Sequence, residues 1–326
     1  MKNSPDKTMG LEEAVSIYVQ DGFHLSIGGF TVTRNPMALI REIVRQKIGG
    51  LHLSVHSNGQ GLDELVGGGG VSRIELAYGA NGRFAPTCVR FKKEVQDGRI
   101  MVEDYTNYQM NLRFLAGSMG IPFLPTRSSL GTDIIDKWGF PEAIRKNDPG
   151  LPDRKLVVQD NPFPGWTDAG KVVLVPALNP DASLIHVQKA DKQGNCRIQG
   201  LTFCDVEQAK AARRLIVSCE ELVESEELRQ EPEQNQIPFL HVDAVVHLPF
   251  GAWPTACPGC YDYDPQYLME YLKQAKDERL YAENREYYVY GPKSHQDLLD
   301  LLGPDRLHTI KADPITGYAT GLKRDV

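Results

Sequence analysis

The stretch with the clearest chemical potential lies near the amino end, Phe23–Pro36, which reads FHLSIGGFTVTRNP. A short apolar run breaks at Gly28-Gly29, and a helical pattern opens after Asn35-Pro36. Asn is a favoured helix N-cap, and proline suits the first helical position because its missing N–H would be unpaired there anyway. The order is therefore strand, glycine turn, helix. In a parallel α/β sheet such a turn lies at the carboxyl end of a strand, where ligands bind. Adjacent glycines let the backbone approach a ligand closely and offer it N–H donors. The same residues equally serve a tight βα turn with no ligand. Glu103 is a second candidate. It closes an apolar run, IMVED, just before a helix start. A carboxylate at such a strand end stands where catalytic groups sit, or is paired with an arginine or favoured by the helix dipole.

Other chemistry-bearing residues give weaker signals. CPGC at Cys257–Cys260 is a single C-x-x-C, and zinc needs four ligands; no second pair or histidine pair stands near it in sequence. It reads as a proline–glycine turn before it reads as a redox pair. His186 falls in an apolar run and reads as a satisfied core histidine. Gly67–Gly70 is followed by VSR instead of GK[ST], so it is no phosphate loop. Neither G-x-S-x-G nor H-E-x-x-H occurs. No metal site is expected.

The elements that must position these residues alternate along the chain. Leu11, Ala14, Val15, Tyr18 and Val19 share one helical face, which Gly22 ends. A strand over Phe23–Ile27 follows, then a helix through Met37, Ile40 and Val44. Strands are predicted at Leu51–Val55, Ile74–Tyr78 and Ile100–Val102, with helices near Asp63–Val66 and Pro86–Gln96. Thr106 and Gln109 fit a capping box, so a helix runs from there to about Met119. Residues 120–170 are rich in Pro, Gly and Asp, including IPFLPTRSSLGTD and DNPFPGWTDAG, and read as a long irregular segment. Strands resume at Lys171–Leu178, Ser183–Gln188, Leu215–Cys219 and Ala244–Leu248. The acidic run ELVESEELRQEPEQ reads as a solvated helix face. Repeated βα alternation predicts an open, mostly parallel α/β sheet flanked by helices, in one domain over residues 1–326.

Composition excludes several classes. The 326 residues are 41% hydrophobic and 24% charged, an ordinary globular balance. Net charge is −7, and no basic block is present, which argues against a nucleic-acid partner. No run approaches a membrane span, and the first ten residues lack an apolar leader. Six scattered cysteines form no dense disulfide framework, so a reducing cytoplasm is the expected setting.

Taken together, GGFTVTRNP, VEDY, GIPFLPT, DNPF, SLIHVQKAD, CEELVESEELR, VDAVVHLPFGAWP and YDYD resemble the A subunits of class I CoA-transferases of the glutaconate type. The similarity runs in the same order from about Leu11 to Gly317. It implies a class I CoA-transferase fold and a coenzyme A thioester as substrate, with no permanently bound cofactor. It also implies a B-subunit partner in an A2B2 or larger assembly. In that family the nucleophilic glutamate belongs to the B subunit. It passes through an acyl anhydride to a glutamyl–CoA thioester, moving CoA between an acyl-CoA and a carboxylic acid, here plausibly a dicarboxylate. The A chain would supply Gly28, Gly29 and Phe30 as a glycine loop whose amides hold the thioester oxygen. Thr31 and Arg34 stand beside it for polar or anionic ligand groups. The loop PTRSSLGTD departs from the glutaconate-type pattern at Arg127. There it is more similar to relatives that hydrolyse a ring of a steroid-derived CoA thioester, using an A-chain glutamate that matches Glu103. Other relatives decarboxylate a CoA ester. A scaffold or binding subunit without activity is the reading from another class. On the transferase or hydrolase reading, Arg127 binds a substrate carboxylate or holds Glu103 ionised.

Overall fold

The computed structural model describes residues 5–163, 165 and 170–322; the rest of the DNPFPGWTDAG stretch lies outside the described residues. Its strands are β1 His24–Ile27, β2 Leu51–Asn58, β3 Val71–Gly79, β4 Met101–Asp104, β5 Phe123–Thr126, β6 Val157–Asp160, β7 Lys171–Pro176, β8 Ala182–Asp191, β9 Cys196–Arg197, β10 Leu215–Val223 and β11 Ala244–His247. The main sheet has the order β11-β10-β8-β1-β2-β3-β4, with β9 attached to β8. Every neighbouring pair along that path is parallel, and only β9 runs antiparallel. Leu25 sits between Leu53 of β2 and Ala182 of β8, so β1 is central.

Helices cover both faces, so the strands are largely buried, and polar residues such as His52 and Ser54 of β2 and Glu75 of β3 are buried within them. One core packs the helices Leu11–Tyr18, Met37–Arg45 and Gln60–Gly67 on the sheet through Val15, Leu39, Ile43 and Leu62. On other elements, Met110 and Phe114 of the helix Asn107–Met119 pack with Val173 and Val175 of β7. That helix carries the full capping box predicted for Thr106 and Gln109, and ends on Gly120 in the left-handed region.

Three local expectations change. Residues 120–170 are not uniformly irregular: β5 and β6 flank β7 in a separate antiparallel sheet, and the helix Glu142–Asn147 lies between them in sequence. The acidic run does not begin as a helix. Glu221–Val223 completes β10, Ser225–Gln230 is an α-helix and Pro232–Gln234 a 3-10 turn. Asn35 does not cap the helix that follows it, which begins at Met37 without a side-chain cap. Its Oδ1 instead accepts from Gly61 N at 2.9 Å, capping the neighbouring helix together with Asn58 Oδ1, which accepts from Leu62 N at 2.9 Å. The cap signal was genuine, but tertiary packing redirected it to another helix.

Candidate active site at the carboxyl edge of the sheet

After β1 the chain winds through β2, β3 and β4, then returns to β8 on the opposite side of β1. Connections leaving β1 and β8 therefore diverge, and the carboxyl ends of these two strands border the crevice where open α/β sheets bind ligands. The Gly28-Gly29 turn stands there, as the sequence requires. Gly29 has φ +84, and a Cβ on it would lie 2.6 Å from the carbonyl oxygens of Thr33 and Arg34. Only glycine fits this turn.

The amides of this turn are already occupied. Gly28 N donates to Leu184 O at 2.9 Å, and Phe30 N to Thr33 O at 2.8 Å. Thr31 N reaches Ser57 O at 3.2 Å. Gly29 N donates to Asp205 Oδ1 at 2.8 Å. In this structure these N–H groups therefore hold the protein together, and the glycines shape the backbone of the turn.

Arg34 is likewise engaged within the protein. Its guanidinium is fully buried, donating to Asp205 Oδ2 at 2.7 Å and to Leu201 O at 2.7 Å. Its charge is paired inside the protein. Asp205, the first residue of the helix Asp205–Ala211, thus ties the glycine turn to the end of the loop after β9, and a strong local signal for it is missing from the sequence. The same loop carries Phe203, whose ring stacks on Phe30 with centroids 4.4 Å apart. His56, on β2, tilts against Phe30 at 5.9 Å. Burial lowers the His56 pKa, favouring the neutral ring, and its Nδ1 has no partner among the described residues. Phe30 and Thr31 are half-buried at this edge. Gln188, near the end of β8, donates to Gln199 O and Pro258 O at 3.1 and 2.9 Å, fastening a further wall.

Glu103 is not at the crevice. It pairs in register with Glu75, mid-strand in β3, and is 0% exposed. Its Oε2 accepts from Gly139 N at 2.8 Å and Phe140 N at 3.0 Å. Its Oε1 is held by the Arg145 guanidinium and by Tyr105 OH. A carboxylate saturated by two amides, an arginine and a phenol pins the 139–145 segment and has no face left for a substrate. The arginine paired with it is Arg145. Arg127 is exposed in the turn after β5.

Two clusters gather metal-ligand side-chain types. His186 Nε2 lies 2.6 Å from Glu220 Oε1, and Cys257 Sγ stands beside them. Both His186 nitrogens are hydrogen-bonded, the other to Ser218 Oγ at 2.8 Å, as a satisfied core histidine requires. His24, His52 and Glu75 form the second cluster. There Arg113 Nη1, 2.9 Å from Glu75 Oε1, already supplies the cation. Burial raises the Glu75 pKa, but Arg113 outweighs it and holds the carboxyl well below its ordinary range.

The fold thus defines a doubly wound α/β protein with a topological switch between β1 and β8. A family profile for coenzyme A transferases matches residues 8–248, and the chain belongs to that family. The chain is 38% identical over 320 residues to the A subunit of glutaconate CoA-transferase from Acidaminococcus fermentans, covering 98% of this chain and 99% of the relative. The crystal structure of that enzyme superposes with a TM-score of 0.91 at 38% identity, covering 96% of this chain and 98% of the other. The decarboxylase AibA/AibB, crystallised as a cysteine-to-serine variant, matches with a TM-score of 0.69 and 32% identity over 86% of this chain and 98% of the other. The IpdA subunit of a cholesterol ring-cleaving hydrolase of Rhodococcus jostii is 29% identical over 295 residues, 89% of this chain and 94% of its own. Among the described residues no helix is long and apolar enough to cross a membrane.

Proposed function

We propose that this chain is the A subunit of a two-subunit cytoplasmic CoA-transferase. It acts as one domain in an A2B2 or larger assembly, moving CoA between an acyl-CoA and a carboxylic acid, with a glutaconate-type dicarboxylate as the favoured acceptor. One observation carries the choice of transfer over chemistry at Glu103. That carboxylate is fully buried and saturated, so it presents no base or nucleophile to a substrate. The reactive carboxylate then comes from the partner. It attacks the acyl carbonyl, the C–S bond breaks, and the CoA thiolate leaves an acyl–glutamyl anhydride. The thiolate next attacks the glutamyl carbonyl, releasing the first acid and leaving a glutamyl–CoA thioester. The second acid takes CoA by the reverse steps.

In this reading Gly28 and Gly29 keep the wall of the crevice thin. The Phe30–Phe203 stack and Thr31 line it, excluding water from the anhydride and thioester. Arg34 acts only through Asp205, by fixing the loop. Arg127 receives a substrate carboxylate, where a guanidinium offers two parallel donors.

The test is to purify the chain alone and with its B partner, then assay acyl-CoA with acetate or a dicarboxylate. The pair is expected to turn over and the lone chain to be inactive. Borohydride reduction and mass spectrometry should find a glutamyl–CoA adduct on the partner, both in the wild type and with Glu103→Gln. Turnover by the lone chain at the rate of the pair overturns the proposal. So does water-dependent product formation with no adduct that vanishes with Glu103→Gln.

A further inference from the structure

The CPGC turn does more than reverse the chain. Cys260 N donates to Cys257 O at 2.9 Å, closing a four-residue turn. Such a turn brings its first and last Cα atoms within about 7 Å, the spacing that a disulfide spans. Neither thiol is in a disulfide. They differ in access: Cys260 is partly exposed and Cys257 is buried. Cys257 Sγ also lies within 4.8 Å of a nitrogen of His186 and a carboxylate oxygen of Glu220. These partners are 71 and 37 positions away in the chain, so no spacing rule could have found them.

We propose that Cys257 and Cys260 form a reversible dithiol–disulfide site that reports the redox state of small thiols to the rim of the crevice. The accessible Cys260 loses its proton to solvent and its thiolate attacks one sulfur of a low-molecular-weight disulfide. The S–S bond of that disulfide breaks, one small thiolate leaves, and a mixed disulfide stands on Cys260. Cys257 then loses its proton to the small thiolate released in the first step and attacks the Cys260 sulfur, expelling the second small thiolate, which is protonated from solvent. Two protein thiols are oxidised by two electrons, and one small disulfide is reduced to two thiols, which take up the two protons. Burial raises the Cys257 pKa, so the more accessible Cys260 is the thiol that reacts first.

The turn is wired to the crevice on both sides. Ala256 O accepts from Arg34 N at 2.7 Å, and Thr33 bridges Ala256 in parallel register. Pro258 O accepts from Gln188 Nε2 at 2.9 Å. Drawing the two sulfurs into a covalent bond moves the residues that hold both walls.

The inference does not depend on the reaction catalysed, and its test needs none. The full chain is equilibrated in glutathione buffers graded from reduced to oxidised, quenched by alkylation and peptide-mapped. One two-electron transition is expected, giving a Cys257–Cys260 cross-link in the native chain that dithiothreitol reverses. Cys260→Ser should abolish it, and Cys257→Ser should stop at a glutathione adduct on Cys260. Hydrogen exchange by mass spectrometry should change several-fold at the Arg34 amide segment on oxidation, while the helix Asn107–Met119 stays unchanged. A glutathione adduct without the internal cross-link in the wild-type chain overturns the site. A cross-link that leaves exchange around Arg34 unchanged overturns its coupling to the crevice.

Discussion

Replacing Asp205 by alanine tests what holds the glycine turn. Asp205 and Arg34 form an ion pair in which both side chains are 0% exposed, at 2.7 Å. The other carboxylate oxygen accepts from Gly29 N at 2.8 Å. Removing one member of a buried pair strands the other charge and costs about 3–5 kcal/mol. The orphaned Gly29 N–H adds about 1–3 kcal/mol, overlapping with the first loss because both concern the same loop. We therefore expect Asp205→Ala to lose about 4–5 kcal/mol, a large share of the roughly 5–15 kcal/mol that stabilises a folded domain. Urea unfolding of the full chain, followed by circular dichroism, reads this as a fall in midpoint of roughly 2 M at a slope of about 2–3 kcal/mol/M. The decisive measurement is a double-mutant cycle with Arg34→Met. The double variant no longer buries a lone charge, so it should be more stable than the sum of the single losses by about 2 kcal/mol or more. A single variant within about 1 kcal/mol of wild type, or an additive cycle, refutes this account of the loop.

Three further outcomes follow from the same geometry. Glu103→Gln should lose roughly 3 kcal/mol, because Arg145 and two amides face a neutral side chain, while the assembled enzyme keeps its covalent partner–CoA adduct; unchanged stability with abolished chemistry would contradict the buried role. Gly29→Ala should lower stability and turnover together, since the added Cβ meets two carbonyl oxygens at 2.6 Å in a positive-φ turn; normal melting with normal turnover would show that the loop relaxes freely. Burial pushes the Asp63 carboxyl up to about 6, although Phe91 N and Val89 N donate to it. The folded chain thus holds this proton more tightly than the unfolded chain does. Asp63 contributes most favourably below about pH 4, and that contribution, worth roughly 3 kcal/mol, is lost as pH rises to about 6. Urea titrations across this range should show Asp63→Asn flattening the slope, and parallel curves would refute the assignment.

The sequence alone determined the order of elements and the parallel sheet, because apolar runs of strand length alternate with helical periodicity and both survive in the fold. It also determined the glycine turn at the end of β1, since adjacent glycines before a helix leave little other choice. The Thr106–Gln109 box was legible because both of its hydrogen bonds close within four residues. The motif order from Leu11 to Gly317 was enough to point to the family. Tertiary structure decided what each polar group does. Asn35 carries a cap signal, but which helix it caps depends on a neighbour 26 positions away. Arg34 looked free for a ligand until Asp205, 171 positions on, neutralised it. Glu103 looked like a strand-end base until Gly139, Phe140 and Arg145 folded over it. The amides of the glycine turn were spent on Leu184, Thr33, Ser57 and Asp205, three of them outside the loop. Burial and hydrogen-bond satisfaction are properties of the packed chain, set by contacts between distant segments. A local pattern names a group that can do chemistry, and only packing decides whether that group is left free to do it.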